Sequence, residues 1–135
     1  MKIPRPICAR LAANAERELA AFFEGQGWGP SEGLRHIVDE WLVLRRLPGI
    51  EFRTGPLGRR AAVRGGPEVW EVVAASRAPG TREGVYAHFG WVDRARIEEA
   101  LECYRLLPEP VDALIERNAR LADAAADRVA GERSS

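Results

Sequence analysis

The fold turns on residues 50–73: Ile50-Glu51-Phe52-Arg53-Thr54-Gly55-Pro56-Leu57-Gly58-Arg59-Arg60-Ala61-Ala62-Val63-Arg64-Gly65-Gly66-Pro67-Glu68-Val69-Trp70-Glu71-Val72-Val73. Two short runs flank a turn-rich centre, Thr54 to Gly58, which predicts a small β-hairpin or arm. Gly65-Gly66-Pro67 punctuates, and Pro67 suits the first residue of a helix carrying Val69, Trp70, Val72 and Val73. Ala78-Pro79-Gly80 ends that helix. Thr81 then caps a short one, Arg82 to Phe89, with Val85 and Phe89 one turn apart. After a tight turn at Gly90-Trp91-Val92, Asp93 caps a longer helix whose inner face is Ile97, Ala100, Leu101 and Tyr104. Pro108 and Pro110 break it. A last helix, Val111 to about Ala130, carries Leu114, Ile115, Asn118, Leu121, Ala125 and Val129 down one side.

Upstream, Ile7, Ala9 and Leu11 alternate with Pro6, Cys8 and Arg10, a short period-two signal for a strand over Ile3 to Leu11. A helix is expected over Asn14 to Glu24, ended by the glycines of Gly25-Gln26-Gly27-Trp28-Gly29-Pro30. A second begins at Pro30 or Ser31 and runs to about Leu47, with Leu34, Ile37, Val38, Trp41, Leu42 and Leu44 as a wide apolar stripe. The expected fold is therefore mainly α, in three parts. Residues 1–48 form a strand-helix-helix unit, 49–109 a β-arm with a trihelical unit, and 110–135 an amphipathic helix with a polar tail.

Composition narrows the function. The 135 residues, 46% hydrophobic, suit one domain or two very small ones. Basic and acidic residues number 20 each, so any nucleic-acid site must be a local patch in a neutral chain. No apolar run approaches the roughly 20 residues of a membrane span. Met1 to Arg10 lacks an apolar signal region, and a reduced cytoplasm is the expected compartment. Cys8 and Cys103 suggest neither a disulfide framework nor a metal site. His36 and His88 are isolated, Lys2 is the only lysine, and Gly25, Gly27 and Gly29 lack the preceding strand of a dinucleotide site. No catalytic constellation, metal or cofactor is expected, and the chain reads as a binding or regulatory module. The tryptophans, Trp28, Trp41, Trp70 and Trp91, read as core anchors, and Cys103 as a small buried hydrophobe.

Two stretches resemble known families. Ser31-Glu32-Gly33-Leu34-Arg35-His36-Ile37-Val38-Asp39-Glu40-Trp41-Leu42 resembles helix B of ribbon-helix-helix DNA-binding domains, which commonly reads S-x-x-L-R-x-x-[IV]-x-E-[WY]-[LI] after a glycine-containing turn. The resemblance covers residues 5 to 46. It implies that two chains pair their strands, with Arg10, Cys8 and Pro6 facing DNA and Ile7, Ala9 and Leu11 facing the core. It also implies a phosphate held by backbone N–H groups at Ser31 and Glu32. The plainer reading is an ordinary helical hairpin. Arg64-Gly65-Gly66-Pro67-Glu68-Val69-Trp70-Glu71-Val72-Val73, with Val92 to Tyr104 and Pro108-Glu109-Pro110-Val111-Asp112, is similar to the small helix-turn-helix family known as domain of unknown function 433. That likeness covers residues 50 to 117. The family occurs in VapB-type antitoxins and beside PIN-like ribonucleases, which implies a homeodomain-like trihelical core and a toxin partner.

Charge distributes the DNA-contact candidates. The expected recognition helix sets Arg94, Arg96 and Arg105 against Asp93, Glu98, Glu99 and Glu102, a net −1 that makes a poor phosphate binder. Only Arg94 and Arg96, with Arg82 on the preceding helix, are placed to contact a duplex there. Between Phe52 and Pro67, by contrast, stand Arg53, Arg59, Arg60 and Arg64 and no acid. Such an arm can enter a groove beside a helix-turn-helix, although a solvated arginine-rich loop has the same composition. Arg5, Arg10 and Ser31 complete the set. The C-terminal apolar side, Leu114, Leu121, Ala125 and Val129, suits either a partner's groove or the chain's own core.

The leading expectation is a homodimeric, DNA-binding antitoxin-like regulator that represses its own operon and neutralises a ribonuclease toxin, possessing no enzymatic activity of its own. The alternative is an interaction or dimerisation module with no DNA role.

Overall fold

The computed structural model describes residues 4–56, 58–77 and 82–133. The elements are α1 (Ala13–Gln26), α2 (Pro30–Arg46), β1 (Ile50–Gly55), β2 (Gly58–Val63), α3 (Val69–Arg77), α4 (Arg82–His88), α5 (Arg94–Leu106) and α6 (Pro108–Arg133). The architecture is mainly helical with one two-stranded antiparallel sheet. Contacts divide the chain into two compact units, residues 1–37 and 38–135.

In the first unit α1 runs two residues past Glu24, through Gly25, and stops where Gly27 turns left-handed (φ 75°) and its N–H returns to the Glu24 carbonyl. Phe23 is buried, and the close approach of its ring fixes Gly33: a Cβ there would lie 2.5 Å from the ring. Trp28 stacks on His36 with centroids 4.0 Å apart and planes 8° from parallel. The expected strand does not form. Residues 4–12 adopt no regular structure, and Ile7, Ala9 and Leu11 are exposed rather than core-facing. Pro4 and Pro6 lack ladder donors, and a lone strand has nothing to bond to without a partner strand. Ile3, the expected first strand residue, lies outside the described residues.

The second unit owns the main core: Val43, Leu47, Ile50, Val63, Val69, Val72, Val73, Val85, Phe89, Ile97, Ala100, Cys103 and Val111. The hairpin pairs Ile50 with Val63 and Gly55 with Gly58, so its two ends are fixed by register. Asp93 caps α5 as expected, its carboxylate accepting from the Ala95 N–H at 3.2 Å. Ile97, Ala100 and Cys103 form the buried face of α5, flanked by half-buried Leu101 and Tyr104. The C-terminal helix starts at Pro108, three residues earlier than expected. Both prolines fall in its first turn, where a missing N–H breaks no helical bond. The expected stop at Ala78-Pro79-Gly80 and the Thr81 cap lie outside the described residues.

Helix α2 occupies its predicted span but turns its stripe the other way. Its C-terminal half packs through Val43, with Leu47 buried just past its end, whereas Leu34, Val38, Trp41, Leu42 and Leu44 are exposed, Trp41 at 54%. At 100° per residue Trp41 and Val38 lie nearly opposite Val43. Two of the four tryptophans therefore anchor no core, since Trp91 is exposed as well; Trp28 and Trp70 are half-buried.

Candidate nucleic-acid and partner interface

The hairpin arginines are engaged by the protein itself. Arg53 donates from Nε to Glu51 at 2.9 Å, and its Nη atoms reach the carbonyls of Gly66 and Val63 at 3.2 and 2.9 Å. That guanidinium's hydrogen bond holds the Glu51 carboxyl below its ordinary range. Arg59 donates to Glu40 at 2.7 Å and to the Thr54 hydroxyl at 3.0 Å, which ties the hairpin to the C-terminal half of α2. Arg60 pairs with Glu68 at 3.0 Å, and Arg64 donates to the Pro48 carbonyl at 2.9 Å. Arg59 and Arg60 are three-quarters or more buried along their side chains. A phosphate reaching them would displace a carboxylate already in place.

The arginines of α4 and α5 are likewise paired. Arg82 meets Glu98 at 2.8 Å, Arg94 meets Glu83 at 3.3 Å and lies over the Tyr86 ring, and Arg96 binds Glu99. The Tyr86 hydroxyl also donates to Glu98, and that hydrogen bond pushes the phenol up from its ordinary pKa. The Arg82–Glu98 and Arg94–Glu83 pairs are exposed and open to competition, unlike Arg59–Glu40, whereas Glu99 is largely buried and also accepts from the Gly49 N–H at 2.7 Å. Ser31, second residue of α2, is exposed in its first turn. Arg5 and Arg10 stand exposed on the segment without regular structure.

At the other end, α6 is anchored and then runs out from its unit. Arg77 of α3 donates to Asp112 at 2.6 Å and to the Tyr104 hydroxyl at 2.7 Å, and that hydroxyl donates to Asp112 at 2.8 Å. The hydroxyl, then the guanidinium, hold the Asp112 carboxyl below its ordinary range, and Asp112 in turn raises Arg77. Val111 is buried and Leu114 and Ile115 are half-buried, but every residue from 116 to 133 is exposed. Leu121 and Val129 stand 57% and 48% exposed. Of the expected partner-binding side, Leu114 thus touches the body while Leu121, Ala125 and Val129 lie open. No helix among the described residues is long and apolar enough to cross a membrane.

Sequence reading passed over two features. Val38, Trp41 and Leu42 looked like core and are surface. Arg117, which lines a cleft with Arg60 and Trp70, had no local pattern to mark it; its place beside Asn118, one turn after Leu114, was the available signal. Comparison with protein-family models, curated proteins and solved structures finds no match for this chain.

Proposed function

We propose that the chain is a dimeric, antitoxin-type DNA-binding regulator that pairs through α2, contacts DNA through its N-terminal segment, and docks a partner protein with α6. The observation that carries this reading is the uncovered apolar face of α2. A helix with Val43 and Leu47 on its own core, and Val38, Trp41 and Leu42 outside, has two apolar sides and one occupant. A second copy covers the other side and offers the missing strand. Residues 5–11 then pair across a two-fold, with Ile7, Ala9 and Leu11 turned inward, Arg10 on the opposite face towards the duplex, and Arg5 at the strand's end, where it reaches a flanking phosphate. The exposed stripe of α6 supports docking of a partner protein, a PIN-like ribonuclease on the resemblance drawn above. The DNA surface on this reading is the N-terminal segment, since the hairpin arginines are spent on Glu40, Glu51 and Glu68.

The test is light scattering together with a salt titration of binding to the duplex upstream of the gene. A dimer whose affinity falls steeply with salt supports the reading. A dimer with no salt-dependent duplex binding favours the second reading, an interaction module without a DNA role, for which the internal pairing of Arg53, Arg59, Arg60, Arg82, Arg94 and Arg96 speaks.

A further inference from the structure

Where β2, α3 and α6 meet, Arg60, Trp70, Leu114, Arg117, Asn118 and Leu121 line a cleft of about 40 Å³. That volume takes one small polar group. Two guanidiniums line it and no carboxylate does. Arg60 spends its Nη2 on Glu68, but its Nε–H is buried and finds no acceptor. A buried donor left without an acceptor is costly. The Trp70 indole is turned to Glu68 as well, so the exposed donors left at the cleft are those of Arg117 and Asn118, which call for an acceptor, preferably charged. The walls are apolar: the Trp70 ring, Leu114 and Leu121.

We infer that this cleft receives a carboxylate presented by the partner segment that lies along α6, an Asp or Glu side chain or a C-terminal carboxylate next to an aliphatic residue. The inference rests on reading α6 as the docking helix, and it supplies that reading's missing polar anchor. The exposed Arg117 guanidinium bonds the acid, Arg60 behind it adds positive charge, Asn118 offers an amide N–H, and Leu121 meets the aliphatic neighbour. A nucleic-acid phosphate fits less well, because its approach would bury Leu114 and Leu121 against a hydrated backbone instead of an apolar side chain.

The test uses the full-length chain and three probes: 4-methylpentanoate, its neutral amide, and inorganic phosphate. The readouts are the Trp70 indole N–H and the Leu121 methyl groups, followed by NMR. The carboxylate is expected to give a saturable shift at both, the amide none, and Arg117→Ala to weaken carboxylate binding by about tenfold, with Arg117→Lys recovering part of it. Arg117 is exposed, so these variants keep the fold, which an unchanged amide spectrum elsewhere verifies. Equal shifts from the amide would reduce the cleft to an apolar notch and overturn the proposal. So would tighter saturation by phosphate, which points to nucleic acid, or indifference to Arg117→Ala. Because no partner protein enters the titration, its failure is separate from failure of the docking reading, which co-purification with α6 truncated tests alone.

Discussion

Arg59 Nε lies 2.7 Å from Oε2 of Glu40, joining the second strand of the hairpin to the helix that precedes it. An arginine that looks free in sequence is here a fastening. Its side chain is 25% exposed and that of Glu40 is 13% exposed, between a surface pair and a buried one. Arg59→Ala should therefore cost about 1–2 kcal/mol of stability, a melting temperature lower by roughly 3–8 °C at the usual conversion. Duplex binding of the folded variant should be unchanged. An unaltered melt with lost DNA binding would return the hairpin to the role of a groove-reading arm.

Trp41→Asp should separate two copies without unfolding one. Trp41 is more than half exposed in the single chain, so a charge there is solvated until a second helix covers it. Light scattering should fall from twice 14.9 kDa to 14.9 kDa while the far-ultraviolet circular dichroism is retained. A wild-type protein already monomeric at micromolar concentration would sink the dimer.

Arg5→Ala with Arg10→Ala should lower the slope of log affinity against log salt by about two, near one unit for each lost phosphate contact. Arg82→Ala and Arg94→Ala should alter it less, since each gives up a carboxylate as well as a phosphate. Titrations at four salt concentrations decide it; the reverse ranking would make α4 and α5 the reading surface.

Removing residues 119–135 should leave the melting temperature within a few degrees of the full chain, because no residue from 116 to 133 is buried. Co-purification with the product of the adjacent gene should be lost. A large drop in melting temperature with co-purification intact would put this helix in the core.

Asp112 gives the molecule an acid-sensitive clasp. Its folded pKa lies below its ordinary value, so the stability it contributes is present above the ordinary carboxylate range and is lost as pH falls through the folded value. Asp112→Asn should be less stable than the wild type at neutral pH, and the two should converge in strong acid. Parallel melting curves from pH 7 to pH 2 that never converge would remove the clasp.

The two thiols should differ. Burial pushes Cys103 up to about 11, whereas Cys8 is exposed. A disulfide reagent at pH 8 should titrate one thiol quickly in the native protein and two after denaturation. Two fast thiols would mean that α5 opens readily.

The hairpin, the Asp93 cap and the Ile97–Ala100 face were legible because each depends on residues close in sequence. The orientation of α2 was not. Periodicity reports that Leu34, Val38 and Trp41 share a side, but Val43 and Leu47 make a second, narrower side, and only the hairpin and α5 decide which one the chain covers. The arginine arm misled for a related reason. The window from Phe52 to Pro67 holds no acid, yet folding brings Glu40 from α2 and Glu68 from one residue beyond its end. The strand expected at residues 3–11 has the right alternation, but residues 4–11 find no neighbouring strand among the described residues.

Beyond Leu121 every described residue of α6 is exposed, so the helix's last twelve described residues rest mainly on its own hydrogen bonds, a length at which an unassisted helix is only marginal in water. Such a segment winds and unwinds in about a microsecond or less, with Gly131 loosening its last turn. A protein that grips it must spend part of its contact energy on holding it still, so affinity per unit of area is low and release is fast. The grip is reversible by construction, and how long it lasts is set less by the helix than by whatever anchors its root, where Arg77, Tyr104 and Asp112 meet.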